Sequence, residues 1–203
     1  MNKIILIGGS PTAGKSYTAR KLAEQLKLPW ISTDTIREQM KELVRKEDYP
    51  ALFLHLKFLI KGGAVEFLTH KTPKEIVDHQ NKESIDVWKG VKALIETDYV
   101  WNKFIVEGTA ILPHLVSNLV KKNKNVKAIF LVDENMARIR KTIFTRGLWG
   151  EASEYPDSVK EKEVVWVSAF NDYIKMEAKR YNLPVVSIGN RKDYLKEVKR
   201  LIK

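Results

Sequence analysis

The chain has 203 residues, 44% hydrophobic and 30% charged, an ordinary globular composition long enough for one sizeable core and read as a single domain, 1–203. It contains no cysteine, which excludes a disulfide framework and a thiolate zinc site, and nothing calls for an oxidising compartment, so the expected location is the cytoplasm. Its 36 Lys plus Arg against 25 Asp plus Glu leave a formal charge of +11, which favours nucleotides, phosphorylated metabolites or nucleic acid as partners without choosing among them; basic residues spread this evenly also suit a solvated surface.

Ile4-Ile5-Leu6-Ile7 is far too short an apolar run for a membrane span or a signal peptide. Unbroken, β-branched and ended by glycines, it predicts a strand buried on both faces of a parallel sheet. Gly9-Ser10-Pro11-Thr12-Ala13-Gly14-Lys15-Ser16 follows at once, and Ala19, Leu22, Ala23 and Leu26 then recur at helical spacing from Ser16 to Lys27. Trp30-Ile31-Ser32 reads as a second strand, and Thr35-x-x-Glu38 as a capping box opening a helix to Arg45. From Pro50 to Thr97 the pattern is mostly helical, with Leu52, Leu56, Phe58 and Leu59 and then Ile85, Trp88, Val91 and Leu94; Lys61 to Gly63 is a candidate hinge. Lys103–Glu107, Val126–Asp133 and Val185–Ile188 are further strands, each with a helical run behind it. Alternating strands and helices predict a mostly parallel sheet covered on both faces.

Strand, glycine loop and helix, in that order, form the frame of a phosphate-binding loop. Loop and helix N–H groups cradle phosphates, the lysine bridges their outer oxygens and the hydroxyl ligates magnesium. The expected ligand is ATP with Mg2+, held by Gly9, Ser10, Thr12, Ala13, Gly14, Lys15, Ser16 and the adjoining Tyr17. Asp34 falls just after the second strand, at the sheet edge where such folds bind ligands, with Arg37 one helical step on. The pair either accepts a hydroxyl proton and anchors an anionic group during phosphoryl transfer, or caps and solvates a helix start. Glu107 ends a strand expected beside the first, where a carboxylate orients magnesium or merely caps the next helix; Asp133 is the substitute. None of His55, His70, His79 and His114 has the paired spacing of a zinc helix.

With Asp34 and Arg37 set beside that loop, the chain resembles, over nearly its whole length, the small P-loop kinases of the nucleoside-monophosphate kinase and shikimate kinase type. Leu6-Ile7-Gly8-Gly9-Ser10, Ser32-Thr33-Asp34-Thr35-Ile36-Arg37-Glu38 and Ile105-Val106-Glu107-Gly108-Thr109-Ala110-Ile111-Leu112-Pro113 most resemble 2-phosphoglycerate kinase-like proteins. The resemblance implies a three-layer α/β P-loop NTPase fold with a mostly parallel five-stranded sheet, a helical acceptor-binding insert at about 48–98 and a lid at about 146–159. It implies Lys15, Asp34 and Arg146 as catalytic residues, with Asp34 the general base. Arg140 and Asn190 join the nucleotide site, Asp34, Arg37, Glu107 and Gly108 bind the acceptor, and Ser16 and Glu107 hold magnesium. Arg140 and Arg146 cannot share one face of a continuous helix, so the helix must end near Gly147 or only one of them acts; Arg138 reads better as part of a solvated helix face.

The expected activity is ATP-dependent transfer of the γ-phosphate to a hydroxyl of a small anionic metabolite, possible acceptors including 2-phosphoglycerate. The same Asp-x-x-Arg spacing resembles polynucleotide 5′-hydroxyl kinases, for which the charge of +11 speaks. A nucleotide-binding switch that recognises a protein partner is the third reading. The expected partners are ATP and a small acceptor, with nucleic acid an alternative and no membrane.

Overall fold

Ile4, Ile5, Leu6 and Ile7 are all buried, as an unbroken apolar strand must be when both faces of its sheet are covered. The structure, a computed structural model, describes residues 3–53, 63–97, 102–148, 153, 155–190 and 193–202. Through them the chain runs β1 (Lys3–Gly9), α1 (Lys15–Leu26), β2 (Trp30–Ser32), α2 (Thr33–Leu43), a 3-10 turn (Pro50–Phe53), α3 (Gly63–His70) and α4 (Pro73–Glu96). It continues through β3 (Lys103–Glu107), α5 (Pro113–Lys122), β4 (Val126–Val132), α6 (Met136–Arg146), α7 (Asp157–Arg180), β5 (Val185–Ser187) and α8 (Tyr194–Leu201).

The five strands lie in the order β2-β3-β1-β4-β5, and all four pairings are parallel. Side chains alternate across this sheet and so create two cores. Ile5, Ile7, Ile105, Ile129 and Leu131 pack with Leu22 of α1 and Val198 of α8 on one face. Ile4, Leu6, Phe104, Val106, Ala128 and Phe130 pack on the other with Val91 of α4, Val116 of α5, Ile143 of α6 and Phe170 of α7. The result is a three-layer α/β fold whose central strand, β1, delivers the glycine loop at its C-terminal end.

Four details depart from the sequence reading. α2 begins at Thr33, two residues before the expected Thr35, because the Ser32 hydroxyl accepts the Asp34 N–H at 3.2 Å and caps the helix there. Glu38, released from a capping box, instead accepts from Arg37 and Lys41 at 2.9 Å each, and the helix stops at Leu43 rather than Arg45. The reciprocal capping box lies at the start of α4, where Thr72 and Glu75 exchange bonds of 3.3 and 2.9 Å around Pro73. Finally, the buried stripe of α4 is Ile76, Val77, Val87, Val91 and Ile95, while Ile85 is exposed. The residues read as helical at Leu56, Phe58 and Leu59, the candidate hinge at Lys61 and Gly62, and His55 lie outside the described residues.

Candidate active site

Gly14 decides how the loop meets α1. Its φ of 71° is left-handed, the turn a side chain resists, and it lets the chain leave the loop and start the helix at Lys15. The first N–H groups of α1 have no intrahelical acceptor, so they emerge at the loop as an anion-binding end. Ser10 is buried and donates to Asn171 Oδ1; the same amide accepts the Asp133 N–H at 3.1 Å and donates to the Asp133 carbonyl at 2.8 Å. Asn171 of α7 thus ties the loop to the end of β4. Ala13 is buried in the core beneath α1, and Gly9 is the last residue of β1.

Lys15 reaches back to the Ser10 carbonyl at 2.7 Å. Burial pushes its pKa down to about 8, against the opposing pull of Glu107 and Asp34, while Arg146 adds to the fall. Those three charges are therefore all within electrostatic reach of the lysine.

Glu107 ends β3 opposite Ile7 of β1 and is 2% exposed. Burial raises its pKa, and Lys15 together with hydrogen bonds from the Ser16 and Ser32 side chains offsets only part of that rise. Gly108 follows with φ 150°, and a Cβ there would lie 1.8 Å from Thr33 Oγ1, so the loop after β3 closes onto the start of α2 only as glycine. That contact brings Glu107 and Asp34 to one edge of the sheet.

Asp34 sits in the first turn of α2 with its side chain 64% exposed, and its carboxylate is 3.3 Å from Arg37 Nη1. Arg37 also meets Glu38 at 2.9 Å and Glu83 of α4 at 3.9 Å. Burial works against the guanidinium charge, but Glu83, Asp34 and Glu38 outweigh it and leave the Arg37 pKa raised.

One cavity of about 400 Å³ joins these parts. Thr12, Gly14, Lys15, Ser16 and Tyr17 form its loop end; Asp34, Arg37, Glu107 and Gly108 form its β2-β3 edge; Arg146 closes it from the end of α6. The helix does stop at Arg146, where Gly147 caps it with φ 75°, and this turns Arg146 into the cavity with Thr142 and Leu148. Arg140, expected on the nucleotide, is instead paired with Glu161 and stacked 4.1 Å over the Phe144 ring, away from the cavity lining. Arg138 is no solvated face: it grips Asp133 in a bidentate pair, one arm at 2.6 Å, so Asp133 is engaged as an anchor for α6. Asn190 lies past β5 on the side of Ile188, which approaches Gly14, and its amide donates to Asp193 at 2.8 Å. Arg191, Trp149 and Gly150 lie outside the described residues.

Four lining residues were given no site role by the sequence reading: Gln80, Thr109, Thr142 and Trp166. Gln80 and Glu83 stand one helical step apart on α4, the sort of polar pair that any solvated helix carries, so no local signal separates them. Thr109 follows Gly108 directly and was within reach of the motif.

No family model matches the chain. Among curated proteins it is 28% identical over 185 residues to the 2-phosphoglycerate kinase of Methanocaldococcus jannaschii, covering 90% of this chain and 57% of that protein. It is 27% identical over 193 residues to the 2-phosphoglycerate kinase of Methanothermobacter thermautotrophicus, covering 90% and 60%. The chain thus spans less than two thirds of the length of these relatives. Among solved structures it superposes on a shikimate kinase from Bacteroides thetaiotaomicron with a TM-score of 0.51 and 15% identity, covering 100% and 99% of the two chains. A gluconokinase from Sinorhizobium meliloti gives 0.50 and 14%, covering 99% and 89%. The chain has the fold of the small P-loop kinases, and along 90% of its length its sequence is similar to that of 2-phosphoglycerate kinases.

Proposed function

We propose that the chain is an ATP-dependent kinase that transfers the γ-phosphate to a hydroxyl of a small anionic metabolite, with 2-phosphoglycerate the first acceptor to test. The observation that carries this reading is that Lys15, Asp34, Arg37 and Arg146 share one cavity. A nucleotide switch needs the loop but has no use for a carboxylate facing an acceptor; the curated relatives are named kinases.

In this reading the loop amides and Lys15 hold the triphosphate, and Arg146, in the same cavity, neutralises charge on the transferring group. Arg37 binds the acceptor's anionic group, and Asp34 accepts the proton of the attacking hydroxyl as its oxygen bonds to phosphorus and the bond to ADP breaks. Ser16 and Glu107 suit magnesium, because a hydroxyl and a buried carboxylate already joined by a hydrogen bond are the oxygen donors a hard cation prefers. Bound there, the ion supplies neutralisation of the phosphate charge. The same reading takes the acceptor-binding insert as about 48–98 and the lid as about 146–159.

Acceptor-stimulated ADP release by the wild type and Asp34→Asn tests this. The substitution is expected to lower the stimulated rate at least about a hundredfold while ATP still binds. ADP release that ignores every acceptor and is indifferent to Asp34→Asn would favour the switch.

A further inference from the structure

Helix α4 contributes to the wall of the cavity. Gln80 lines it beside Thr109, Asp34 and Arg37. Its amide nitrogen stands 3.5 Å from Thr109 Oγ1, the outer limit of a hydrogen bond, so the two groups are neighbours that hold one another weakly. One helical step on, Glu83 is 3.9 Å from Arg37 Nη1, and Glu83, Arg37 and Thr109 also line a second, narrow recess. A single face of α4 therefore supplies both a neutral amide to the cavity and a carboxylate that steadies its guanidinium.

We propose that Gln80, with Thr109, is the acceptor-specificity pair of this site, selecting an acid that carries an oxygen substituent next to its carboxylate. This rests on the kinase reading above. Arg37 takes the carboxylate, while the Gln80 amide donates to the neighbouring oxygen and the Thr109 hydroxyl either donates or accepts. An amide and a hydroxyl so weakly engaged with each other lose little when they turn to a ligand, whereas an acceptor lacking that oxygen leaves them only their weak mutual contact in a partly buried wall.

Steady-state kinetics with 2-phosphoglycerate as the probe, with ATP affinity measured separately by calorimetry, test the assignment in Gln80→Ala and Gln80→Glu. Gln80→Ala is expected to raise the acceptor KM about 10- to 100-fold, with kcat within about threefold and ATP affinity unchanged. Gln80→Glu, of equal size but facing a carboxylate, is expected to raise it further. A merely structural Gln80 would lower the melting temperature and leave the acceptor KM where it was; that result overturns the proposal. Should Gln80→Ala fail to fold, Thr109→Val, on the loop rather than the helix, is measured in the same way and must show the same KM-selective loss. Transfer to the probe by the wild type with an unmoved KM in the variants sinks the specificity pair alone. Absence of wild-type transfer to any hydroxy acid overturns the kinase reading and the pair together.

Discussion

Burial holds the Lys15 pKa at about 8, so the lysine that should meet the phosphates is part-neutral in mildly alkaline solution. A polyphosphate placed beside it favours the charged form, and binding must draw a proton in. Calorimetry at about pH 8 in buffers of different ionisation enthalpy is expected to show uptake of about half a proton per ATP, rising towards one at higher pH, and affinity is expected to fall as pH rises beyond that point. Lys15→Arg, charged throughout, should remove the uptake; equal uptake in both proteins would contradict the assignment. Lys15, Asp34 and Arg37 were legible in the sequence because a phosphate loop and a sheet edge impose their spacing locally. Asn171 was not, since its bond to Ser10 spans 161 positions and exists only once α7 lies along the end of β4. Arg138 and Arg140 illustrate the same limit: neighbours in sequence, they are claimed by Asp133 and Glu161, which no local pattern reveals.

At the scale of elements, α2 and α4 pack together beside the proposed acceptor wall. They touch at Gly90, where a Cβ would lie 2.6 Å from Met40 Sδ and 2.8 Å from Ile36 Cγ2. Gly90→Leu is expected to force the helices apart and raise the acceptor KM several-fold, with ATP affinity unchanged; an unchanged KM in a folded variant would show that the wall does not depend on this contact. α7 carries a different burden. Glu163 is 0% exposed, neither carboxylate oxygen has a hydrogen-bond partner among the described residues, and burial pushes its pKa up to about 7 although Lys160 pulls it down. A carboxyl whose folded pKa is raised binds its proton more tightly in the folded state, so the stability it allows is present below about pH 4.5 and declines as pH rises through about 7. Glu163→Gln should therefore gain stability over the wild type between pH 4 and 8, on the order of 1 to 3 kcal/mol by denaturant titration. A difference that does not change with pH would contradict it. The strands and α1 were readable from periodicity because sheet burial leaves unbroken apolar runs. The start of α2 was misplaced because Ser32 and Thr35 are both competent caps, and only the backbone geometry decides between them.

For the whole molecule, the doubly covered parallel sheet does one thing for chemistry: it brings the ends of β1, β2 and β3 to a common edge. The loop after β1, Asp34 after β2 and Glu107 at the end of β3 meet there, and α6 adds Arg146 to the same cavity. The net charge of +11 suits anionic ligands of any size and so leaves the acceptor to the cavity itself. Among the described residues no helix is long and apolar enough to cross a membrane. The fold and most residues of the candidate site were thus legible in advance, whereas the proposed acceptor wall was not, because Gln80 comes from a helix with no motif and meets Thr109 only through a contact between separate elements. The most direct test follows the label of γ-labelled ATP, with magnesium, across a panel of 2-phosphoglycerate, other hydroxy acids, nucleosides and 5′-hydroxyl oligonucleotides. Label in a small anionic acceptor, lost in Asp34→Asn while ATP still binds, is the predicted result; label released only as inorganic phosphate, or carried only by the oligonucleotides, would contradict it.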